Sequence, residues 1–200
     1  MITVSNLFKS FGQTPVLCGA TLTLAKGNST VVIGKSGSGK SVLMKSILGL
    51  VKPDSGTILQ DGAPLDQTRF LDDFGMLFQG AALFDSLPVW QNVAFRLLRR
   101  MPKAKARAIA LEKLGRVGLE ADVADRLPAM LSGGMQKRAG LARAIATNPS
   151  VLFFDEPTTG LDPIMARAIN DLIRDIVRET HATTLTITHD MTTVRTIADT

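Results

Sequence analysis

The sequence predicts an α/β fold, buried strands alternating with helices, preceded by an antiparallel β part and interrupted by a helical insertion. Three observations carry this expectation. Val31, Val32 and Ile33 form a short apolar run that leads straight into a Gly/Ser-rich turn and then into a helical pattern. A second apolar run, Val151-Leu152-Phe153-Phe154, ends on two acids and precedes an amphipathic helix. Between them, from about Trp90 to Ala146, the chain is rich in Ala, Leu, Arg and Lys and has no β-branched run.

Taken in order, the first thirty residues alternate apolar and small polar positions (Ile2, Val4, Leu7, then Leu22 and Leu24) around Gly12, Pro15 and Gly19, which predicts short, partly exposed antiparallel strands. After the strand at 31–33 and its turn, Val42, Leu43, Ser46, Ile47 and Leu50 recur at helical spacing. Pro53 to Gly56 predict a turn before a short strand at Thr57 to Leu59, and Phe74 to Phe78 reads as another buried strand. Pro102 and Pro128 break the helical insertion. Beyond Pro149 the α/β pattern resumes with the strand at 151–154. A helix follows whose apolar positions are Met165, Ala168, Ile169, Leu172, Ile173, Ile176 and Val177, with Asp162 as its cap and Pro163 in its first turn. A last strand, Leu185 to Thr188, ends at His189. The expected organisation is one domain over 1–200: a core with the antiparallel part at 1–78 and 148–200, and an inserted unit at 79–147.

With 200 residues, 45% hydrophobic and 20% charged, the chain has enough material for one core, which excludes a disordered or fibrous protein. Mean hydropathy is +0.17, yet charges, Gly and Pro interrupt every stretch short of the roughly 18 apolar residues of a membrane span. The start, MITVSNLFKSFG, lacks a signal-peptide pattern, and the single cysteine, Cys18, supports no disulfide framework, so a cytoplasmic location is expected. A net charge of +5 suits nucleotides, nucleic acid or an anionic membrane face. The basic stretch Arg99, Arg100, Lys103, Lys105 and Arg107 is explained most simply as a solvated helix face.

Chemistry concentrates in two places. Gly34-Lys35-Ser36-Gly37-Ser38-Gly39-Lys40-Ser41 fits the P-loop pattern and lies where that motif must, between a buried strand and a helix that Val42 continues. Its glycines let successive N–H groups curl around phosphate oxygens, the helix start adds partial positive charge, Lys40 reaches the outer phosphates and the Ser41 hydroxyl is a Mg²⁺ ligand. Such a loop needs a carboxylate at the end of a neighbouring strand. Asp155 is expected to hold the metal, and Glu156 to orient or deprotonate an attacking water.

Leu131-Ser132-Gly133-Gly134-Met135 resembles the signature sequence of ATP-binding-cassette (ABC) ATPases, and the resemblance covers the whole chain in that family's order. It implies a P-loop NTPase, RecA-like core with an N-terminal antiparallel β subdomain and a helical insertion, and ATP and Mg²⁺ as cofactors. Gln79 looks like the glutamine of the family's Q-loop and joins Ser41 and Asp155 as a metal ligand; Gly160-Leu161-Asp162 looks like the D-loop; His189 looks like the switch histidine, catalytic with Glu156. Phe11 is similar in position to the aromatic that stacks on adenine, the alternative being a buried strand residue. Ser132, Gly133 and Gly134 form a second phosphate cradle at a helix start. The resemblance therefore implies a homodimer in which each ATP lies between the Lys40 side of one subunit and the Ser132 side of the other, with Asp162 beside it. Met135 stands where the family more usually has glutamine, beyond the phosphate contacts.

No coiled coil separates Lys40 from Ser132 and the chain carries one cassette, unlike DNA-repair and translation-factor cassettes, so a transporter ATPase is expected. Leu77-Phe78-Gln79-Gly80-Ala81-Ala82-Leu83-Phe84-Asp85-Ser86-Leu87, Asn92-Val93-Ala94-Phe95 and the Leu-Ser-Gly-Gly-Met signature look like the ATPase of Mla-type phospholipid transporters, which maintain outer-membrane lipid asymmetry. That implies a subunit peripheral on the inner face of the cell membrane, meeting an integral-membrane permease through Gln79 to Trp90, with lipid-transport accessory proteins. Ala82, Leu83, Phe84, Leu87 and Trp90 have a second explanation, packing inside the insertion. An alternative function is a soluble cassette coupling ATP binding to nucleic acid, which a neighbouring gene for a nuclease or coiled-coil partner would support. A module that holds ATP without hydrolysing it is opposed by the presence of Lys40, Asp155, Glu156 and His189. The family's cassettes continue past the switch histidine, so the chain is expected to stop within a helix at Ile197-Ala198-Asp199-Thr200, as a truncated cassette with an exposed sheet edge.

Overall fold

Phe153 and Phe154 are adjacent in sequence yet belong to different cores, because successive residues of a strand face opposite sides of a sheet. In the computed structural model, which describes residues 1–66, 70 and 73–199, they lie on β7 (Val151–Asp155). This strand is interior to a parallel sheet of order β3 (Ser29–Ile33), β8 (Thr183–Thr188), β7, β6 (Phe74–Leu77). Val151 and Phe153, with Leu185 and Ile187, pack toward α1 (Lys40–Ile47) and the antiparallel sheet. Leu152 and Phe154 pack toward the insertion helices and α5 (Pro163–Thr180). Both faces are covered, which is why β7 reads as an unbroken apolar run.

The antiparallel sheet has the order β2 (Thr14–Leu24), β1 (Ile2–Phe11), β4 (Ser55–Gln60), β5 (Ala63–Pro64). Its first two strands are 10 and 11 residues long, not short as expected. Register shifts between Val4 and Leu7, Leu7 and Phe8, and Lys9 and Ser10 break the alternation into pieces that look like separate short strands. The insertion is built from α2 (Val89–Val93), α3 (Lys103–Arg116) and α4 (Gly133–Ile145), with one 3₁₀ turn between α2 and α3 and two between α3 and α4.

Several boundaries differ from expectation. The helix after the P-loop ends at Ile47, not Leu50: Gly49 adopts φ 71°, and the Leu50 N–H folds back to the Lys45 carbonyl at 2.8 Å, leaving the Leu50 side chain exposed. Strand β6 stops at Leu77, so Phe78 leaves the sheet exposed. Strand β8 begins at Thr183, two residues before the expected start. The terminal helix, α6 (Met191–Ile197), ends before Ala198 rather than running through the last residues. There the backbone extends, and Asp199 N–H donates to the Ser29 carbonyl (2.8 Å) while its carboxylate accepts from Ser29 N–H (2.9 Å). The open edge of β3 captures Asp199 and so ends the helix; Thr200 lies outside the described residues.

Strand β6 and α4 approach backbone to backbone. A Cβ on Gly75 would overlap the Ala144 carbonyl and lie 2.8 Å from Leu152 Cδ2, and one on Gly140 would lie 2.9 Å from Leu77 Cδ1. A helix backbone cannot yield as a flexible side chain can. Gly75→Ala is therefore expected to destabilise the fold by about 3 kcal/mol or more, at the upper end of overpacking effects, visible as a large fall in thermal-unfolding midpoint.

Because the four core strands are parallel, their C-terminal ends share one edge of the sheet. Residues 34–41, His189, Glu156 and Gln79, each just beyond a different strand, are brought together there although they span most of the chain.

Candidate nucleotide-binding site

The loop after β3 depends on left-handed glycines: Gly37 at φ 78° and Gly39 at φ 88°. Gly39 is the N-cap of α1 and supplies no side-chain cap, so the first-turn N–H groups remain suited to an external acceptor. A Cβ there would lie 2.8 Å from the Val16 carbonyl, which shows how closely the loop seats on β2. Lys40 Nζ curls over the loop and donates to the carbonyls of Gly34 (2.7 Å) and Lys35 (2.9 Å).

Opposite lie the acids. Ser41 Oγ donates to Asp155 Oδ1 at 3.4 Å. Burial pushes the Asp155 carboxyl above its ordinary range; the Ser41 hydrogen bond opposes this, the Glu156 charge adds to it, and Lys45 and Lys40 counter it. Glu156 has φ 49°, unusual for a residue with a side chain, and its N–H donates to the Ile187 carbonyl at 2.9 Å. Its carboxylate accepts from Thr159 Oγ1 at 3.1 Å and is hydrogen-bonded to His189 Nδ1 at 2.9 Å. This contact engages Nδ1 and leaves the Nε2 side of the ring outside it. Together these groups line a cleft of about 590 Å³ walled by Val16, residues 35–42, Gln79, Glu156 and His189.

The residues suit ATP with Mg²⁺. A hydroxyl and a carboxylate already in contact, Ser41 and Asp155, with the Gln79 amide on the same cleft, form the hard-oxygen set that Mg²⁺ prefers, and the glycine loop with Lys40 forms a phosphate cradle.

Seven predicted positions lie outside the cleft lining; two of them, Gly34 and Asp155, contact the lining residues Lys40 and Ser41. Phe11 is 51% exposed, which removes its alternative as a buried strand residue; its ring sits 5.5 Å from Lys9 Nζ, and Val16 forms the wall. Ser132 and Gly133 are exposed at the start of α4, where Ser132 Oγ caps the helix by accepting from Met135 N–H at 3.3 Å. Gly134 is buried beneath Met165, whose terminal methyl would have to move aside for a Cβ. Asp162 spends its carboxylate capping α5, accepting from the Ile164 and Met165 N–H groups at 3.0 Å.

The 82–90 segment is divided. Trp90 is 3% exposed and belongs to the insertion core, Leu83 packs against that core and Leu87 is half-buried. Phe84 is 45% exposed and rests on Phe95, also exposed, with ring centroids 4.6 Å apart. Buried Asn92 holds this loop: its Oδ1 accepts from Phe84 N–H (2.6 Å) and its Nδ2 donates to the carbonyls of Phe84 (3.1 Å) and Leu87 (2.9 Å).

Sequence reasoning missed the groups on α4 that hold the loop after β6. Arg143 donates to the carbonyls of Ala81 and Ala82, each at 2.6 Å, and both alanines have positive φ. Lys137 Nζ donates to the Gln79 carbonyl and, at 3.3 Å, to that of Glu156. Burial draws the Lys137 ammonium below its ordinary range, against the pull of Asp155 and Glu156. For Arg143 the available signal was a cation within the apolar run from Ala139 to Ile145; Lys137, between Gln136 and Arg138, carried none.

A P-loop on the C-terminal edge of a parallel sheet, faced by a Ser/Asp pair and a Glu/His pair, defines a P-loop nucleotide-binding protein. Residues 17–159 match the family model for the ABC transporter. The chain is 42% identical over 208 residues to the probable ribonucleotide transport ATP-binding protein mkl of Mycobacterium tuberculosis, covering 99% of this chain and 57% of that protein. It is 40% identical to the methionine import ATP-binding protein MetN of Mesorhizobium japonicum, covering 100% of this chain and 56% of that one. Among solved structures, the ATP-binding cassette MJ0796, a dimer in a post-hydrolysis state bound to ADP and Pi, superposes with a TM-score of 0.88 at 32% identity, over 98% of this chain and 90% of that chain. The cbiO1 subunit of the Clostridium perfringens transporter complex cbiONQ gives 0.87 at 31%, over 99% and 82%. The chain belongs to the ABC transporter family of ATP-binding cassettes. It spans somewhat more than half the length of the curated relatives it matches.

Proposed function

We propose that this chain binds and hydrolyses ATP as a peripheral subunit on the inner, cytoplasmic face of a membrane, driving phospholipid movement through a separate permease. The observation that carries the ATPase reading is the meeting of Lys40, the Ser41/Asp155 pair and the Glu156/His189 pair in one cleft. Lys40 and the loop amides hold the phosphates; Ser41, Asp155 and Gln79 would hold Mg²⁺, whose charge offsets that of the phosphates. Glu156 accepts a proton from an attacking water at its carboxylate, and His189 orients that carboxylate.

Ser132, Gly133 and Asp162, exposed away from their own cleft, are read as the half-site offered to a second copy, which the dimeric state of MJ0796 supports. Among the described residues no helix is long and apolar enough to cross a membrane, so the translocation path is assigned to the permease. Phe84 and Phe95, exposed and held by Asn92, are read as its contact. The phospholipid reading rests on the pattern of 77–87 and 92–95 with the Leu-Ser-Gly-Gly-Met signature, and lipid-transport accessory proteins belong to the same reading. Relatives are named for ribonucleotide, methionine and sulfate transport, so one kind of cassette serves several cargoes.

The test is the chain co-reconstituted with its permease in vesicles carrying labelled phospholipid. ATP-dependent movement of the label is expected, and uptake of methionine, sulfate or ribonucleotide in its place overturns the cargo assignment. In the same assay Phe84→Ser should leave ATP binding and the unfolding midpoint near wild type while reducing permease co-purification about tenfold, since truncating an aromatic anchor is a large interface effect. A large fall in midpoint with retained permease binding returns Phe84 to the core.

A further inference from the structure

Lys137 is the one charged side chain that falls among the buried residues described, at 5% exposure. A buried ammonium persists only where its donors find acceptors, and here they find main-chain carbonyls on two separate strand-end loops. One belongs to Gln79, beyond β6, and the other to Glu156, beyond β7. Glu156 needs such an anchor. Its left-handed backbone is disfavoured for a residue with a Cβ, and three groups hold it: the Ile187 carbonyl takes its N–H, and Lys137 Nζ and the Thr159 N–H, each at 3.3 Å, donate to its C=O. Lys137 also lies five residues into the helix-start sequence that Ser132 caps, on the same rigid α4.

We propose that Lys137 is a positioning residue that fixes Gln79 and Glu156 as one unit and ties both to the Ser132 end of α4. Lys137 is not among the residues that line the cleft. Its effect is exerted through two carbonyls, so a displacement of α4 at the surface offered to the second subunit reaches the metal side and the water side of the cleft together. This rests on the ATPase reading above and adds to it the route by which α4 acts on the cleft.

The experiment compares Lys137→Met, which keeps the chain length and loses the donors, with Lys137→Arg, which keeps the charge and donors. Lys137→Met is expected to lower kcat about tenfold or more with KM for ATP changed less than about threefold, and to raise the Mg²⁺ concentration needed for tight ATP binding in calorimetry. Mg²⁺-free ADP affinity, which depends on the P-loop, should stay within about twofold. Lys137→Arg should recover most of the loss. In a Glu156→Gln background, Lys137→Met should lower residual turnover less than about twofold further, because groups acting as one unit are non-additive. Parallel loss of unfolding midpoint, ADP affinity and kcat, or full additivity with Glu156→Gln, overturns the proposal, as does an unchanged kcat and Mg²⁺ dependence. If Lys137→Met does not fold, Lys137→Gln, shorter but still an N–H donor, is measured by the same criteria, with an intermediate loss expected. A wild-type protein that binds Mg²⁺ and ATP but never hydrolyses it refutes the ATPase reading instead, and the Mg²⁺ dependence of binding then still decides the role of Lys137.

Discussion

Glu156→Gln is expected to retain ATP binding while hydrolysis falls by roughly 10²-fold or more. The amide keeps the size and reach of the carboxylate, so an oxygen can still accept from Thr159 Oγ1 and the side chain can still meet His189. What it loses is proton affinity. Lys40, the loop amides and the Ser41/Asp155 pair are untouched, and those groups supply the phosphate and metal contacts. ATP should therefore accumulate unhydrolysed between two subunits, and gel filtration with ATP should show a dimer. Steady-state phosphate release checks the rate and calorimetry the affinity. Wild-type turnover removes Glu156 from its role, and a strictly monomeric elution with ATP counts against the shared site. A kcat loss accompanied by an equal loss of affinity reassigns Glu156 to binding.

The site was legible wherever chemistry is local in sequence. Eight consecutive residues encode the P-loop, so a strand before and a helix after suffice to recognise it. Asp155 and Glu156 mark the end of a run that is apolar on both faces, and Asp162-Pro163 announces a helix by cap chemistry that the structure reproduces at two N–H groups. Even the meeting of distant residues was accessible, because parallel strands leave their C-terminal ends on one edge.

The remainder depends on tertiary neighbours. Strands β1 and β2 looked short because bulges interrupt their alternation, and the start of β8 was hidden by threonines buried on both faces. The end of α6 was set by the Ser29 backbone, some 170 residues away in sequence. Apolar residues 82–90 could not be divided between core and surface by composition, since Trp90 and Phe84 are both aromatic, yet Trp90 joins the insertion core while Phe84 stays exposed on a loop that the Asn92 hydrogen bonds hold. Lys137 was invisible, and Arg143 was marked only by its apolar surroundings, because main-chain carbonyls, their acceptors, have no letter in the sequence.

Lys40→Ala should nearly abolish ATP binding, with an affinity loss of about 10²-fold or more. The ammonium is the positive charge held within the loop by the Gly34 and Lys35 carbonyls, already folded over the cradle. Hydrogen bonds to a charged group contribute about 1.5–3 kcal/mol each, and two of them lost to the outer phosphates correspond to several kcal/mol. Each 1.4 kcal/mol is tenfold in affinity. The P-loop amides that remain carry only partial charge, so they cannot compensate. Ser41→Ala provides the contrast: it deletes a metal-side hydroxyl, so Mg²⁺-free ADP binding should persist while the Mg²⁺-dependent increment shrinks. Calorimetric titration of both variants separates the two roles. A Lys40→Ala protein with wild-type ATP affinity is incompatible with this cleft as the nucleotide site, because no other lysine among its lining residues except Lys35 is available to take the charge.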